Sequence, residues 1–395
     1  MKNSIMGDVL TPFEILRRLI AFDTVSVRSN KAMIEFIADY LEEHGISCNV
    51  APNEDGTKAD MIATIGPMVE GGIVLSGHTD VVPVEGQDWQ SEPFNMVERD
   101  GLLYGRGTCD MKGFIAVVMS LVPEMIKLNL KRPLHLVFSY DEEVGCLGAP
   151  ALISRMIRDV PMPQAAIIGE PTNMKLVNAH KGVTIFETVV TGCPAHSSQT
   201  QSGVNAITAA AECIVFLKSK AKEFQTDGSL DARLQPPYNT VSVGMIEGGT
   251  ALNIIAGECK FNWDCRSIAG QDAGQLLEKL ERYCLEELLP PLKEIDPKVE
   301  IVTRKVAAIP PLTPSDDNPA EALVRQLTGQ NQAGAVSFAA EAGMFQDAGV
   351  PSVICGPGSI AQAHQPNEFV EITQIDACTE FVRKIAHWAA DKIDR

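Results

Sequence analysis

Gly72-Ile-Val-Leu-Ser-Gly-His78-Thr-Asp80 is an apolar run that ends on a histidine, with an aspartate two residues further on. Its apolar character reads as a buried strand. The pattern recurs: Leu134-His-Leu-Val-Phe-Ser-Tyr140 hands over to Asp141-Glu142-Glu143, and Ala165-Ala-Ile-Ile-Gly169 hands over to Glu170. In an open α/β sheet the ligand lies outside the carboxyl ends of the strands, so three such runs deliver His78, Glu142, Glu143 and Glu170 to one rim. Imidazole and carboxylates gathered in this way are metal-binding chemistry.

Outward from these runs, Thr11-Pro-Phe-Glu14 supplies an N-cap, a proline at N1 and a glutamate at N3 for a helix reaching about residue 22. Asn30 is expected to cap a second helix over 31–44, with Met33, Ile34, Ile37, Ala38 and Leu41 on one stripe and Gly45 at C′. Residues 61–65 read as a strand and 110–128 as one mostly apolar helix. Alternating helices and strands predict an α/β layer with a mixed or parallel sheet. From residue 183 the texture changes to strand 183–191, helix 203–220, strands 240–246 and 258–265, helix 271–288 and strand 299–306. That order, β-α-β-β-α-β, is a ferredoxin-like unit. A compact domain over 183–306 is therefore expected, inserted into a discontinuous α/β domain made of 1–182 and 307–395.

A chain of 395 residues exceeds what one hydrophobic core usually supports, which agrees with two domains. The 45% hydrophobic and 21% charged content excludes wholesale disorder. A net charge of -18 argues against nucleic-acid binding, which relies on a cationic face. Met1-Lys-Asn-Ser-Ile-Met-Gly-Asp8 has no apolar h-region, and no segment approaches 18 uninterrupted apolar residues, so a cytoplasmic protein with no membrane partner is expected. The ten cysteines form no C-x-x-C pair and read as reduced packing residues.

Two further segments join the strand-end groups: Gly105-Arg-Gly-Thr-Cys-Asp110-Met-Lys-Gly113, with its carboxylate at a helix start, and Gln362-Ala-His364-Gln-Pro366 in a late loop. Asp110 suits a bridging role, because a short side chain at a helix start can turn both oxygens toward the middle of a cluster. Glu142 and Glu143 are neighbours that point in opposite directions in extended chain, so Glu143 is assigned to metal and Glu142 to general base. Asp80 is expected to accept a hydrogen bond from the non-ligating nitrogen of His78. Each residue taken alone has an ordinary explanation: a satisfied strand-end histidine, a helix cap at Asp110, a solvated turn at Glu142-Glu143, a strand end at Glu170. Several such groups on one side of a sheet are hard to stabilise unpaired.

With Ser76-Gly-His-Thr-Asp80, Gly105-Arg-Gly-x-x-Asp110-Met-Lys-Gly113, Asp141-Glu-Glu143, Gly169-Glu170-Pro and His364, the chain resembles the metallopeptidase M20 family over nearly its whole length. Within it, residues 105–113, 139–148, 169–172, 180–182 and 356–360 are most similar to the bacterial acetylornithine deacetylases. The resemblance implies two Zn2+ ions, with Co2+ or Mn2+ as alternatives: His78 and Glu170 on one, Glu143 and His364 on the other, and Asp110 between them. It implies that residues 183–306 are a lid or dimerisation domain of a homodimer. There His196 would stabilise the oxyanion in the partner's site, and Asn253 and Arg266 would hold the substrate carboxylate, a task for which a guanidinium fork is well shaped. The implied activity is deacetylation of an N-acetyl-L-amino acid, foremost N-acetylornithine, as in arginine biosynthesis; a broader N-acyl-amino-acid deacylase or dipeptidase is the alternative. Two positions depart from the pattern: Ala339-Ala-Glu341-Ala replaces Gly-Thr-Glu-Ala, and Ala256 replaces a proline, which leaves the substrate side chain open.

Gly356-Pro-Gly358-Ser-Ile-Ala361 matches G-x-G-x-x-A, the loop of dinucleotide-binding oxidoreductases. His364-Gln-Pro366 interrupts the helix that such a loop must open, so the glycines read instead as close backbone approach beside His364. A non-catalytic metal-binding module is disfavoured by the spare Glu142 and by carboxylate ligands in place of four thiolates.

Overall fold

Fifteen strands occur among the described residues, 9–226 and 229–391, of this computed structural model. The stretch read for an export signal, residues 1–8, lies outside them. The chain divides into two units. One takes in the chain up to Ala179, then Leu312–Ala335 and everything from Ala340 onward; the other is His180–Pro311 with Val336–Ala339.

The first unit carries β1 (Cys48–Pro52), β2 (Ala59–Ile65), β3 (Ile73–His78), β4 (Val97–Arg99), β5 (Leu102–Tyr104), β6 (Leu134–Ser139), β7 (Ala165–Pro171) and β8 (Val177–His180). The second carries β9 (Gly182–Thr191), β10 (Thr240–Gly248), β11 (Glu258–Ser267) and β12 (Glu300–Ile309), after which come β13 (Gly334–Val336), β14 (Ser352–Gly356) and β15 (Phe369–Glu371).

The main sheet runs β1-β2-β6-β3-β7-β14-β8-β13. Its centre, β6-β3-β7-β14, is parallel, and β2 pairs antiparallel with β6. Parallel strands are covered on both faces, which is why β3, β6, β7 and β14 are buried along their whole length. Register then sets the rim. His78 lies opposite Ser139, so Glu142 and Glu143 follow just past the same edge, and Ser76 lies opposite Ile168, so Glu170 comes level with His78. Gly356 permits β14 to close on β7: a Cβ there would fall 2.0 Å from the Gly169 oxygen. This is the close approach expected of the glycine loop, and no helix follows it as a dinucleotide loop requires.

Thr11 forms the full capping box with Glu14 on helix Pro12–Ile20. The Asn30 cap is not formed. Its amide instead donates to the Ala59 carbonyl (2.7 Å) and Thr79 Oγ1 (2.8 Å) and accepts from the Ala59 N–H, stitching the helix entry to the sheet. The single helix expected over 110–128 is two, Lys112–Ser120 and Val122–Lys127, since Pro123 has no N–H to continue the ladder. Asp110 accordingly stands before the first helical turn, with Met111 as N-cap. The helix expected over 271–288 is Gly274–Tyr283, widening to a π turn at Cys284–Leu288 before Leu289–Ile295. Pro290 and Pro291 supply no N–H to the preceding carbonyls there.

The second unit's sheet, β10-β11-β9-β12, is antiparallel throughout. With helices Ala206–Glu223 and Gly274–Tyr283 it forms the ferredoxin-like arrangement expected from the sequence. Ala209, Ala210, Cys213, Leu217, Leu276 and Leu280 pack with Phe186, Phe261 and Trp263. Trp263 stacks on Phe186 at 4.2 Å and satisfies its indole N–H on Thr188 Oγ1. No helix among the described residues is long and apolar enough to cross a membrane.

Candidate metal centre

The parallel strands bring the expected groups to one rim of the first unit. His78 ends β3, Glu142 and Glu143 follow β6, Glu170 is near the end of β7, and His364 lies in the loop after β14. Two clusters result. His78, Asp110 and Glu170 offer ligand atoms within 4.8 Å of one another, and so do Asp110, Glu143 and His364. Asp110 belongs to both, one oxygen to each: Oδ1 is 3.0 Å from His78 Nε2 and Oδ2 is 3.4 Å from His364 Nε2. His364 Nε2 lies 3.0 Å from Glu143 Oε2, and His78 Nε2 lies 3.8 Å from Glu170 Oε1.

Burial and mutual charge act on every group of the two clusters. Burial, reinforced by Asp110, pushes the Glu170 carboxyl well above its usual range and that of Glu143 up to about 7. Burial, with Glu143 and Asp110 nearby, does the same to Glu142. Burial would raise Asp110 too, but its bonds to His364 and His78 hold it below the carboxylate range. His78, despite burial, is raised by Asp110 and Glu170, and His364 rises to about 10 through its bonds to Asp110 and Glu143. Glu143 Oε1 and Glu170 Oε1 are buried with no hydrogen-bond partner among the described residues. Unpaired buried carboxylate oxygens are costly, and a divalent cation in each cluster would satisfy them. Two imidazoles and three carboxylates are the hard and borderline donors that zinc, cobalt and manganese accept. The residues therefore fit the cations that the sequence implies.

Asp80 differs in one respect from expectation. The Nδ1 of His78 sits 2.9 Å from the backbone carbonyl of Asp80, while the carboxylate is 3.7 Å away. That carboxylate accepts the N–H groups of Glu142 (3.1 Å) and Glu143 (3.3 Å) and the Ser26 hydroxyl (2.7 Å). Asp80 thus orients His78 through its main chain and anchors both glutamates through its side chain. Glu142 belongs to neither cluster, and one of its oxygens accepts from Cys146 Sγ at 3.4 Å.

Sequence reasoning missed two further buried carboxylates. Glu368 accepts from the backbone N–H groups of Gly107, Cys109 and Asp110 at 2.8–3.1 Å and pairs with Arg106 at 2.7 Å, so it fixes the loop that presents Asp110. Glu341 accepts from Ser76 Oγ at 3.2 Å. Their partners are some 260 positions away in sequence, and no local pattern marks them.

His196, Asn253 and Arg266 stand in the second unit. The loops of the first two are joined: Ser197 N–H donates to the Asn253 carbonyl at 3.0 Å, and His196 bridges Ile254. His196 Nδ1 lies 2.8 Å from Ser198 Oγ. Arg266, at the end of β11, has Asp264 at 3.7 Å, a long pairing that leaves its fork largely uncommitted.

The sequence profile of Peptidase family M20/M25/M40 matches residues 74–388. An acetylornithine deacetylase of Proteus mirabilis (strain HI4320) is 35% identical over 386 residues, 95% of this chain and 96% of that protein. Among solved structures, the M20 family metallo-carboxypeptidase Sso-CP2 of Sulfolobus solfataricus superposes with a TM-score of 0.74 at 16% identity, covering 96% of this chain and 99% of that one. The YXEP protein of Bacillus subtilis, described as a dinuclear metal-binding peptidase of the M20 family, gives 0.63 at 16% identity, covering 97% and 98%. These two likenesses concern the fold.

Proposed function

Because the chain belongs to peptidase family M20/M25/M40, we propose that this metal-dependent amidohydrolase removes the acetyl group from an N-acetyl-L-amino acid, N-acetylornithine foremost, giving ornithine and acetate. The observation that carries the reading is Asp110, which turns one oxygen to each of two ligand clusters while Glu142 stays outside both. The substrate is taken from the Proteus mirabilis relative. In this reading the protein is a cytoplasmic homodimer of arginine biosynthesis.

His78 and Glu170 would hold one cation, Glu143 and His364 the other, and Asp110 would serve both. Two divalent ions there, zinc with cobalt or manganese as alternatives, would supply Lewis acidity toward an amide carbonyl and acidify water. Glu142 takes a proton from the water that adds to the carbonyl carbon. It returns that proton to the amide nitrogen as the C–N bond breaks, so the amine leaves neutral. Burial keeps Glu142 proton-seeking, and Cys146 holds the carboxylate from behind. His196, contributed across the homodimer, steadies the oxyanion, while Asn253 and Arg266 grip the substrate carboxylate.

The test is a panel of acetylornithine, acetylmethionine, acetylcitrulline, succinyl-diaminopimelate and simple dipeptides, assayed with zinc-, cobalt- and manganese-loaded protein. The highest kcat/KM is expected on acetylornithine. Faster turnover of dipeptides or of other acyl amino acids replaces the substrate assignment, and silence on every compound favours the non-catalytic metal-binding module.

A further inference from the structure

His364 is the most exposed of the five candidate ligands, with a side chain 50% accessible, whereas His78 is 1% accessible. Its backbone is left-handed, φ 63°, a conformation uncommon in residues that carry a Cβ. Residues of an earlier loop bond to it. Gln87 Nε2 donates to the His364 carbonyl at 3.0 Å. Gln87 Oε1 accepts from Arg106 at 2.6 Å and from the Trp89 indole at 3.0 Å, and the Arg106 guanidinium lies over the Trp89 ring. Arg106, itself buried, is paired with Glu368, the residue that fixes the Asp110 loop. A second seam runs beside the first: Gln90 N–H donates to Asn367 Oδ1 at 2.7 Å, and Asn367 Nδ2 donates to the Asp88 carbonyl.

We propose that Gln87 is a positioning residue for His364: by grasping the His364 carbonyl while Arg106 grasps Gln87, it keeps the imidazole aimed at Glu143 and Asp110. The amide is suited to this because it must accept on one side and donate on the other. A glutamate in its place keeps the pairing with Arg106 but sets an acceptor against the His364 carbonyl. Gln87 is only partly buried, so its replacement leaves the core intact. The inference rests on the two-cation reading above.

The experiment titrates chelator-treated full-length protein with Co2+, following heat of binding and the visible ligand-field spectrum, for wild type, Gln87→Glu, Gln87→Ala and His364→Ala. Wild type is expected to take up two equivalents and His364→Ala to lose one. In Gln87→Glu and Gln87→Ala that same equivalent weakens about 10- to 100-fold, the range for partners that orient a ligand, while the other equivalent and the unfolding midpoint of the metal-free protein stay at wild-type values. Wild-type binding of both equivalents by the two Gln87 variants, with His364→Ala defective, overturns this inference alone. Two equivalents retained by His364→Ala, or fewer than two in wild type, overturn the ligand reading itself and this inference with it.

Discussion

Glu142 and Glu143 are adjacent in sequence and assigned different roles, base and ligand, and the Asp80 carboxylate accepts both of their N–H groups. Replacing Glu142 by Gln keeps the volume and removes the proposed base. Turnover of acetylornithine is expected to fall about 10²- to 10⁴-fold, with cation content by elemental analysis unchanged; near wild-type turnover places the base elsewhere. Replacing Arg266 by Ala is expected to raise KM for acetylornithine at least about tenfold, and unchanged kinetics removes it from substrate binding. The strand-end candidate ligands were readable because each follows a buried apolar run that advertises its own end. Glu368, Glu341 and Gln87 were not, since their roles come from partners hundreds of positions distant, and the sequence near them has no periodic signal.

At the level of elements, buried strands and the helices with strong caps were legible, while interrupted helices were not. Leu121 and Cys284 sit inside apolar patterns that continue across them, and the breaks come from Pro123, Pro290 and Pro291. Short strands such as β4, β5, β13 and β15 are too brief to show alternation. Two expectations follow. Gly356→Ala drives a methyl into the Gly169 carbonyl and is expected to cost about 1–3 kcal/mol or more, measured as a lower urea midpoint; an unchanged midpoint refutes the close β7–β14 approach. In β6, His135 is buried and, among the described residues, bonded only through Nδ1, to Thr64 Oγ1, and burial lowers its pKa from 6.5 to about 4. The unfolded chain therefore binds a proton that the native one refuses between these values. The stability is fully present above pH 6.5 and is lost as pH falls toward 4, by up to about 3 kcal/mol. His135→Gln is expected to flatten the dependence of the unfolding midpoint on pH in that window, and an equally steep variant contradicts the assignment.

For the whole molecule, the centre is assembled from segments as far apart as His78 and His364, so cation binding and folding are linked. Chelation is expected to lower the thermal midpoint and abolish amide hydrolysis. Readdition of Zn2+ or Co2+ should restore both, with about 2.7 kcal/mol recovered at a hundredfold excess over Kd. A midpoint indifferent to chelator contradicts that linkage. The two clusters also differ in depth: His78, Asp110 and Glu170 are all buried, whereas the other cluster includes the half-exposed His364. Unequal residence times follow. If both clusters hold ions, the one at the buried cluster is expected to keep the identity it had when the protein was loaded and the one beside His364 to trade with the surrounding solution, so that a purified sample would carry two different elements side by side and its specific activity would record its buffer history.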